Sequence, residues 1–502
     1  MDIIESIIGW AKKTPTQIAV SYKDRRITYY ELVQRANAVS KEIIQLKKHI
    51  TQNEQIPIIV LGERGPEFII SLLGVLQSGN YYIPLEMPHS QCRLNQIIGQ
   101  LNNYILISTN KYDFLEEEKI KFFINYNNIQ QDESNKYCGS RLTPSDLCYM
   151  IYTSGTKNAP KGVMIRYESL CNLVNQFLKN IYSNIGQSVS VGVLSSFSFD
   201  ASIKQIFGAL CFGHNLVIAQ TEDKLFSLRM QHFFEKNKIY IVDGTPSIYK
   251  LLMKKEKKPN WKVAYFLIGG EIIKRSFIMS FKQYLDYECV VLNVYGPTEC
   301  CIDASYFQVN FHELNSDILP IGKPIPNAIF HIHDINGNLI ESNGEEGELY
   351  ISGVLVGDGY FNQPESQNFF NSPEYGKTYK TGDLAIRNNL GEYLILGRID
   401  DQIKINGNRL ELCEVEKVIS DILCSDTVVC IDKKADGDEL YAFVHVNQRT
   451  EIIPEQLVVQ QARNFLPSYG IPKKIIYVYD DFPLTTNGKV DRSTIIKKYL
   501  SN

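Results

Sequence analysis

The sequence has little excess of charge of either sign and no cysteine pair at metal-binding spacing. Its 502 residues include 52 basic and 56 acidic side chains, for a formal net charge of −4, without a block of like charge. This balance argues against the basic face or tail of a nucleic-acid or membrane-surface protein. The 11 cysteines contain no C-x-x-C pair. We therefore expect free thiols in a reduced, cytoplasmic protein.

Long apolar runs are also missing. No window reaches the roughly 18 uninterrupted apolar residues of a membrane helix. The first residues, MDIIESIIGWAKK, are acidic where a signal peptide is basic. The sequence therefore predicts a soluble intracellular protein with no membrane or nucleic-acid partner.

What the chain does contain is an alternation of strand and helix patterns. IPIIVLG (56–62) predicts a strand buried on both faces. The next segment, PEFIISLLGVLQSG, has Pro66 near a helix start and Gly79 near its end. Repetition of this rhythm predicts an α/β fold whose large N-terminal core has mostly parallel sheets flanked by helices. Short strands and Gly-rich turns after about residue 340 predict a small β-rich unit, and the last hundred or so residues predict a small α+β domain.

Polar motifs stand where such strands end, which is where parallel sheets bind ligands. The clearest follows the strand-like LCYMI and reads YTSGTKNAPKG (152–162). Backbone N–H groups of Thr153, Ser154, Gly155 and Thr156 can converge on phosphate oxygens, and Lys161 adds a positive charge. The run does not match a Walker A loop, and alone it is more often a solvated turn.

Nine further segments accompany this motif. With YTSGTKNAPKG itself, the ten segments in chain order are ITYYEL (27–32), LQSGNYYIPLE (76–86), YTSGTKNAPKG (152–162), FSFDAS (197–202), NVYGPTE (293–299), GELYISG (347–353), YKTGDL (379–384), GRIDDQIKINGNRLELCEVE (397–416), LPSYGIP (466–472) and NGKVDR (487–492). Together they resemble the serial core motifs of adenylate-forming enzymes, specifically the amino-acid adenylation domains of nonribosomal peptide synthetases. The resemblance covers essentially the whole chain. It implies ATP and Mg²⁺ as cofactors, a core domain over 1–399 and a small mobile C-terminal domain over 400–502.

The resemblance also implies roles in nucleotide binding. Glu299 would hold Mg²⁺ through its carboxylate, an oxygen ligand that this ion prefers. Thr298 would contact the α-phosphate, and Tyr295 with Asn293 would contact adenine. The two remaining nucleotide residues are Asp383, which would accept hydrogen bonds from the ribose hydroxyls, and Arg398, which would help to fix the sugar.

Two implied roles belong to the C-terminal region. Lys489 would bridge the substrate carboxylate and the ribose during attack on the α-phosphate, where negative charge accumulates. Asp400 would be the hinge between two half-reactions. The chain departs from the family pattern at Lys157-Asn158, where Asn tolerates left-handed backbone angles and the loop path can be retained.

The resemblance further assigns a substrate pocket. Its residues are Asp200, Ala201, Lys204, Asp243, Leu267, Gly269, Val294, Ile302, Asp303 and Lys489. A carboxylate at Asp200 implies an α-ammonium group in the substrate, because a buried carboxylate without a cation is costly. Lys204 calls for an anion, and the string D-A-K-D-L-G-V-I-D-K resembles the pattern of L-glutamate activation.

Asp243 and Asp303 leave the choice of substrate open. As two extra carboxylates they should repel an acidic side chain, unless they orient Lys204, bind water or carry a proton. Glutamine and aspartate are the next candidates, followed by a basic amino acid held by these two carboxylates.

The sequence thus predicts an enzyme that converts L-glutamate and Mg·ATP to glutamyl-AMP and pyrophosphate. The acyl group would then pass to the phosphopantetheine thiol of a carrier protein. No carrier-like segment precedes Asn502, so the carrier is expected in trans. An acyl-CoA or D-alanine–carrier ligase of the same superfamily is the alternative enzyme, and a catalytically silent binding homologue is the alternative from another class.

Overall fold

The protein is described from a computed structural model. The described residues are 1–51, 54–88, 91–110, 112, 120–130, 141–153, 160–183, 185–224, 226–253, 260–286, 288–314, 316–363, 366–399, 402–405, 408–434, 437–446, 450, 452–483 and 490–500. Strands and helices are numbered below along the chain.

A nine-stranded sheet forms the largest layer of the N-terminal part. In spatial order its strands are β15 (Lys323–Pro324), β14 (Ser305–Gln308), β13 (Val290–Tyr295), β12 (Tyr265–Gly269), β11 (Ile239–Gly244), β9 (Ser190–Val193), β10 (Asn215–Ile218), β1 (Ile18–Tyr22) and β2 (Arg25–Thr28). The central pairs from β13 through β1 are parallel, and antiparallel strands lie at both edges.

A second sheet has six strands. In spatial order they are β6 (Phe123–Asn125), β5 (Ile105–Ser108), β3 (Pro57–Gly62), β4 (Tyr81–Glu86), β7 (Leu147–Thr153) and β8 (Lys161–Arg166). Strands β3 and β4 are buried along their whole length, as expected for the centre of a parallel sheet covered on both faces.

The β-rich unit predicted after about residue 340 begins earlier in the structure, at Ala328. Its sheet consists of β17 (Leu339–Ile340), β16 (Ala328–His333), β18 (Gly347–Gly353), β20 (Gly376–Arg387) and β19 (Phe369–Ser372), and β21 (Tyr393–Arg398) also pairs with β20. All of its pairs are antiparallel. The C-terminal strands form a pair, β22 (Gln402–Ile405) with β23 (Asn408–Glu411), and a three-stranded sheet of β24 (Thr427–Lys434), β25 (Gly437–His445) and β26 (Lys474–Val478).

Helices alternate with these strands. They are α1 (Ile3–Lys13), α2 (Tyr29–Lys47), α3 (Pro66–Gln77), α4 (Gln91–Ile98), α5 (Tyr167–Leu173), α6 (Lys179–Tyr182), α7 (Asp200–Leu210), α8 (Ser227–Lys236), α9 (Pro246–Leu252), α10 (Arg275–Phe281), α11 (Leu412–Leu423), α12 (Glu455–Ala462) and α13 (Arg492–Leu500). No described helix combines the length and the apolar content needed to cross a membrane.

Local sequence explains several of these boundaries. Thr28 and Glu31 form a reciprocal capping box at the start of α2. Pro66 opens α3 as predicted, because its missing N–H would be unpaired there anyway. The predicted α/β class, with a large core and a small C-terminal part, is confirmed.

Contacts divide the chain into two compact units. The larger comprises Met1–Pro88, Leu101–Tyr152 and Gly162–Ile399, and the smaller comprises His89–Gln100, Thr153–Lys161 and Asp400–Asn502. Within the smaller unit, α11 and α12 pack apolar side chains such as Val415, Ile419 and Val458 into a core of their own.

Candidate active site

Four of the predicted pocket residues, Asp243, Leu267, Gly269 and Val294, lie at the carboxyl ends of β11, β12 and β13. Asp243 is paired in register with Leu267, and Gly269 with Val294. A β-carbon at Gly269 would lie 2.7 Å from the Val294 carbonyl oxygen. The backbone approach at this point therefore requires glycine. This is the edge at which open α/β sheets bind ligands.

Helix α7 brings Asp200 and Lys204 to this edge. The two residues are one turn apart and therefore share a face of the helix. Ala201 follows Asp200 on the same first turn. Burial raises the pKa of Asp200, and a hydrogen bond from the Thr298 side chain opposes the rise. The Asp200 carboxylate therefore contacts Thr298 of the YGPTE motif.

Lys204 lies in a buried ion cluster. Its Nζ is 2.5 Å from Asp243 Oδ2 and 2.7 Å from Asp303 Oδ2, and the three side chains are 2–7% exposed. Burial opposes the ammonium form, but both carboxylates outweigh it and raise the pKa of Lys204. The aspartates that sequence reasoning left unassigned are therefore the charge partners of Lys204.

The same cluster holds one more negative than positive charge when both aspartates are ionised. Burial raises the pKa of Asp243 to about 6, against the attraction of the ammonium. Burial also raises the pKa of Asp303, again opposed by Lys204. The excess charge is therefore relieved by a proton on one of the two carboxyl groups as the pH falls.

A strained turn places Asp303. Cys301 and Ile302 have φ values of 53° and 77°, which is uncommon for any side chain and an outlier for a β-branched one. The Asp303 N–H donates to the Cys301 carbonyl oxygen at 3.1 Å, closing a three-residue turn around Ile302. A β-carbon at Gly296 would lie 2.2 Å from the Ile302 carbonyl oxygen, so this close approach also depends on a glycine.

A second group of residues lies between β13 and the β20–β21 pair. Asp383 and Arg398 are paired in register, and the Arg398 Nη1 donates to Asp383 Oδ1 at 2.9 Å and to the Thr381 carbonyl oxygen at 2.7 Å. The Tyr295 hydroxyl donates to Asp383 Oδ2 at 2.5 Å. Burial and the nearby carboxylate raise the pKa of Tyr295, which keeps its hydroxyl a donor.

The predicted adenine residue Asn293 is buried beside this group. Its Nδ2 donates to the Pro320 carbonyl oxygen at 2.6 Å, which fixes the orientation of the side-chain amide. Asn293 lies two residues before Tyr295 on β13, and Tyr295 in turn contacts the Asp383–Arg398 pair.

Glu299 is fully buried in a short 3₁₀ turn. Its Oε1 accepts a hydrogen bond from the Tyr360 hydroxyl at 2.7 Å, and that hydroxyl lies 3.4 Å from the hydroxyl of Tyr379. The Gly357 N–H donates to the Glu299 carbonyl oxygen at 2.8 Å. Sequence reasoning missed Tyr360, because nothing local in GDGY connects it with YGPTE.

A magnesium ion is compatible with this donor set. The described residues contain no cluster of three or more His, Cys, Asp or Glu side chains suited to a metal. Mg²⁺, however, is commonly held by one or two carboxylates together with substrate phosphates and water. The oriented carboxylate of Glu299 fits that manner of binding.

Two further predicted nucleotide residues lie at β7 and β8. Thr153 is the last residue of β7, and Lys161 is the first of β8. Ser154, Gly155 and Thr156 between them, the hinge residue Asp400 and the catalytic candidate Lys489 lie outside the described residues.

Comparison with known proteins identifies relatives over the whole chain. A family model described as AMP-binding enzyme matches residues 9–361. The chain is 33% identical to bacitracin synthase 1 of Bacillus licheniformis over 99% of this chain and 9% of that synthase. It is 28% identical to zwittermicin A synthase ZmaJ of Bacillus cereus over 96% of this chain and 92% of that protein.

A solved structure shows the same fold. The Vibrio cholerae adenylation domain AlmE, in complex with glycyl-adenosine-5′-phosphate, matches with a TM-score of 0.85 at 21% identity, over 100% of this chain and 98% of that one. The chain spans only 9% and 13% of the lengths of bacitracin synthase 1 and surfactin synthase subunit 1 of Bacillus subtilis. The match to the family model covers well over half of the chain. The chain therefore belongs to the family of AMP-binding enzymes, which are adenylate-forming ligases.

Proposed function

We propose that the protein activates an amino acid with ATP, forming aminoacyl-AMP and releasing pyrophosphate, and that L-glutamate is the preferred substrate. The observation that carries the proposal is the pairing, on one face of α7, of Asp200 beside Thr298 with Lys204 inside the ion cluster. The first group suits an α-ammonium, and the second suits a polar side chain.

In the proposed reaction, a substrate carboxylate oxygen attacks the α-phosphorus. The bond from that phosphorus to the bridging oxygen of pyrophosphate breaks, and pyrophosphate leaves with the electron pair. Asp200 would bind the α-ammonium and hold the amino acid for attack. Asp383, oriented by Arg398 and Tyr295, would accept hydrogen bonds from the ribose hydroxyls.

Three residues complete the proposed machinery. Glu299, held by Tyr360, would bind Mg²⁺, which neutralises phosphate charge when it is bound. Lys489 would stabilise the charge that develops on the α-phosphate. Asp400 would be the hinge between adenylation by the core, 1–399, and thiol acylation with the 400–502 domain repositioned.

The preference for glutamate rests on Lys204. An ammonium has three N–H donors, and in the described part of the chain Asp243 and Asp303 are its two charged contacts. A third donor can therefore serve a substrate carboxylate. Binding that carboxylate would add negative charge to a cluster that already has an excess, so we propose that a proton enters with it.

Glutamine is the second candidate, and a specific observation favours it. Both aspartates already pair with Lys204, so a neutral amide can contact the cluster without adding charge. A basic side chain is less suited, because Lys204 already occupies the position between the two carboxylates.

We further propose that the acyl group passes to a phosphopantetheine thiol on a carrier protein in trans. The supporting relatives are named bacitracin synthase 1 and surfactin synthase subunit 1, and one solved protein of the same fold is an NRPS protein containing adenylation and PCP domains. An acyl-CoA or D-alanine–carrier ligase would instead accept other acids or thiols.

The decisive experiment is pyrophosphate–ATP exchange with each of the twenty amino acids, D-alanine and an aryl acid. L-glutamate should give the highest rate, with glutamine second. Asp200→Asn should reduce exchange with every amino acid by about 10²-fold, because a charged partner of the ammonium is lost, while ATP still binds. Exchange with none of these acids would support the silent homologue instead.

Loading of labelled glutamate onto a purified phosphopantetheinylated carrier, with free CoA as the competing acceptor, tests the second step.

A further inference from the structure

Arg64 and Glu86 form a buried ion pair outside the candidate active site. Arg64 lies just beyond β3, and Glu86 is the last residue of β4. The Arg64 Nη1 lies 3.2 Å from Glu86 Oε1, and the two side chains are 4% and 8% exposed. Both residues belong to the carboxyl edge of the six-stranded sheet.

The other donors of Arg64 reach the nine-stranded sheet. Nε donates to the Ala219 carbonyl oxygen at 2.9 Å, beyond β10. Nη2 donates to the carbonyl oxygen of Val193, the end of β9, at 3.0 Å, and Nη1 donates to that of Ser195 at 2.8 Å. The planar fork of one guanidinium therefore joins the ends of four strands in two sheets, which lysine could not do.

Glu86 holds the segment that follows β9. Its Oε2 accepts hydrogen bonds from the Phe197 N–H at 2.5 Å and from the Ser196 hydroxyl at 3.1 Å. The Glu86 N–H donates a hydrogen bond to the Ser198 Oγ at 2.7 Å. Three consecutive residues are thus fixed to the end of β4.

This segment leads directly into α7. The Phe199 N–H donates to the Ser196 carbonyl oxygen at 3.0 Å, and the helix begins at Asp200. Phe199 is the N-cap residue of α7, and the turn that its N–H closes therefore leads directly into the helix. The Gln205 Nε2, one turn further along α7, also donates to the Ser195 Oγ at 3.0 Å.

We propose that Arg64 and Glu86 are positioning residues for amino-acid recognition, which fix the Ser195–Phe199 segment and so set where α7 presents Asp200 and Lys204. The inference rests on the proposed function, because the proposed function assigns the amino-acid contacts to Asp200 and Lys204. The physical reason is that hydrogen bonds weaken steeply away from their preferred distance and angle, so a displaced Asp200 or Lys204 would bind a small zwitterion less tightly. Arg64 and Glu86 bond to Ser195, Ser196 and Phe197 of this segment and to the ends of β9 and β10.

The test separates the Michaelis constants of the two substrates in the exchange assay. Glu86→Gln keeps the size and one acceptor but removes the charge that Arg64 and the segment share. It should raise the KM of the amino acid at least about tenfold and change the KM of ATP less than about twofold. Arg64→Lys should show the same split, because lysine cannot reach all three carbonyl oxygens.

A milder variant guards against loss of folding. Ser196→Ala removes one bond to Glu86 Oε2 and should raise the KM of the amino acid about two- to fivefold, with the KM of ATP unchanged. The matched control is Ile43→Ala in α2, a fully buried core residue whose loss should lower the melting temperature and leave both KM values unchanged.

The outcomes are distinguishable. A fall in kcat with both KM values unchanged, or an equal rise of both KM values, would show that the ion pair does not act selectively on amino-acid binding and would overturn the proposal. If Glu86→Gln does not fold, Ser196→Ala decides by the same criterion. Failure of the wild-type enzyme to exchange with any amino acid would instead overturn the proposed function.

Discussion

Lys204 and Asp303 form an ion pair, Nζ to Oδ2 at 2.7 Å, in which both side chains are buried. Lys204 comes from a regular helix, whereas Asp303 follows a backbone turn with two positive φ values. The strain of such a turn, of order 1–3 kcal/mol per residue, persists only where the surroundings over-determine it. The protein therefore holds a preformed charge cluster, and in the proposed function a substrate side chain would have to enter it without leaving a charge unpaired.

Lys204→Gln tests how this cluster selects the substrate. Removal of the ammonium leaves Asp243 and Asp303 without a cation, which costs about 3–5 kcal/mol when the pair is buried. It also removes the proposed cation for a γ-carboxylate. The kcat/KM of glutamate should fall by at least about 10²-fold, since 1.4 kcal/mol is about tenfold. The kcat/KM of glutamine should fall less than that of glutamate, or should increase, because the glutamine amide adds no charge.

Exchange kinetics with both amino acids, on wild type and variant, measure this difference. The KM of ATP and the melting temperature serve as controls for folding. A variant that retains the full preference for glutamate would show that Lys204 does not contact the substrate side chain.

The raised pKa of Asp243, about 6, predicts a pH dependence of stability. Between the ordinary carboxyl pKa of about 4 and about 6, the folded state holds more protons than the unfolded state. Unfolding free energy therefore falls as pH rises through this window. The contribution is fully present below the ordinary pKa and is lost as pH passes 6.

Asp243→Asn should remove this term, because an amide does not titrate. Urea unfolding at intervals from pH 4 to pH 8 should show the variant gaining on wild type as pH increases across the window. Asp24→Asn, at an exposed position, is the control and should track wild type. Parallel curves for wild type and Asp243→Asn would contradict the protonation of this carboxyl.

Much of the fold could be predicted from local pattern. The apolar run ending at Gly62 and the Pro66 helix start correspond to β3 and α3, because period and capping are local properties. The ion cluster could not be derived this way. Lys204, Asp243 and Asp303 are far apart in sequence, and only the parallel strand register and the turn after Glu299 bring them together.

The candidate site shows the same division. Motifs identify residues by type, so Glu299 and Asp383 could be named from YGPTE and YKTGDL. Their partners depend on tertiary contacts, such as the Tyr360 hydroxyl on Glu299 and the Tyr295 hydroxyl on Asp383. The positive φ of Ile302 also has no sequence signal, because β-branched residues disfavour that conformation.

Asp383→Asn tests the proposed ribose site. The variant loses the charge that Arg398 and Tyr295 contact at 2.9 and 2.5 Å, and hydrogen bonds to charged groups contribute about 1.5–3 kcal/mol. The KM of ATP should rise by about 10- to 100-fold, with the KM of the amino acid nearly unchanged. Initial rates of exchange with each substrate varied in turn provide both constants. A selective rise in the KM of the amino acid would contradict the proposal that Asp383 binds the ribose of ATP.

Gly296→Ala tests whether the turn at Ile302 controls recognition. The added β-carbon would lie 2.2 Å from the Ile302 carbonyl oxygen and 2.8 Å from the Ala304 nitrogen. Main-chain atoms cannot move aside as a flexible side chain can, so the turn and Asp303 must shift. We expect a loss of about 1–3 kcal/mol of stability, the usual cost of overpacking, together with at least a tenfold fall in kcat/KM for the amino acid.

Gly186→Ala is the matched control, since nothing lies within 4 Å of its β-carbon position, and it should stay within about 0.5 kcal/mol of wild type. Denaturant unfolding and exchange kinetics on both variants check this. If Gly296→Ala were destabilised but kept wild-type kcat/KM, the turn would serve the fold without setting the position of Asp303 for the substrate.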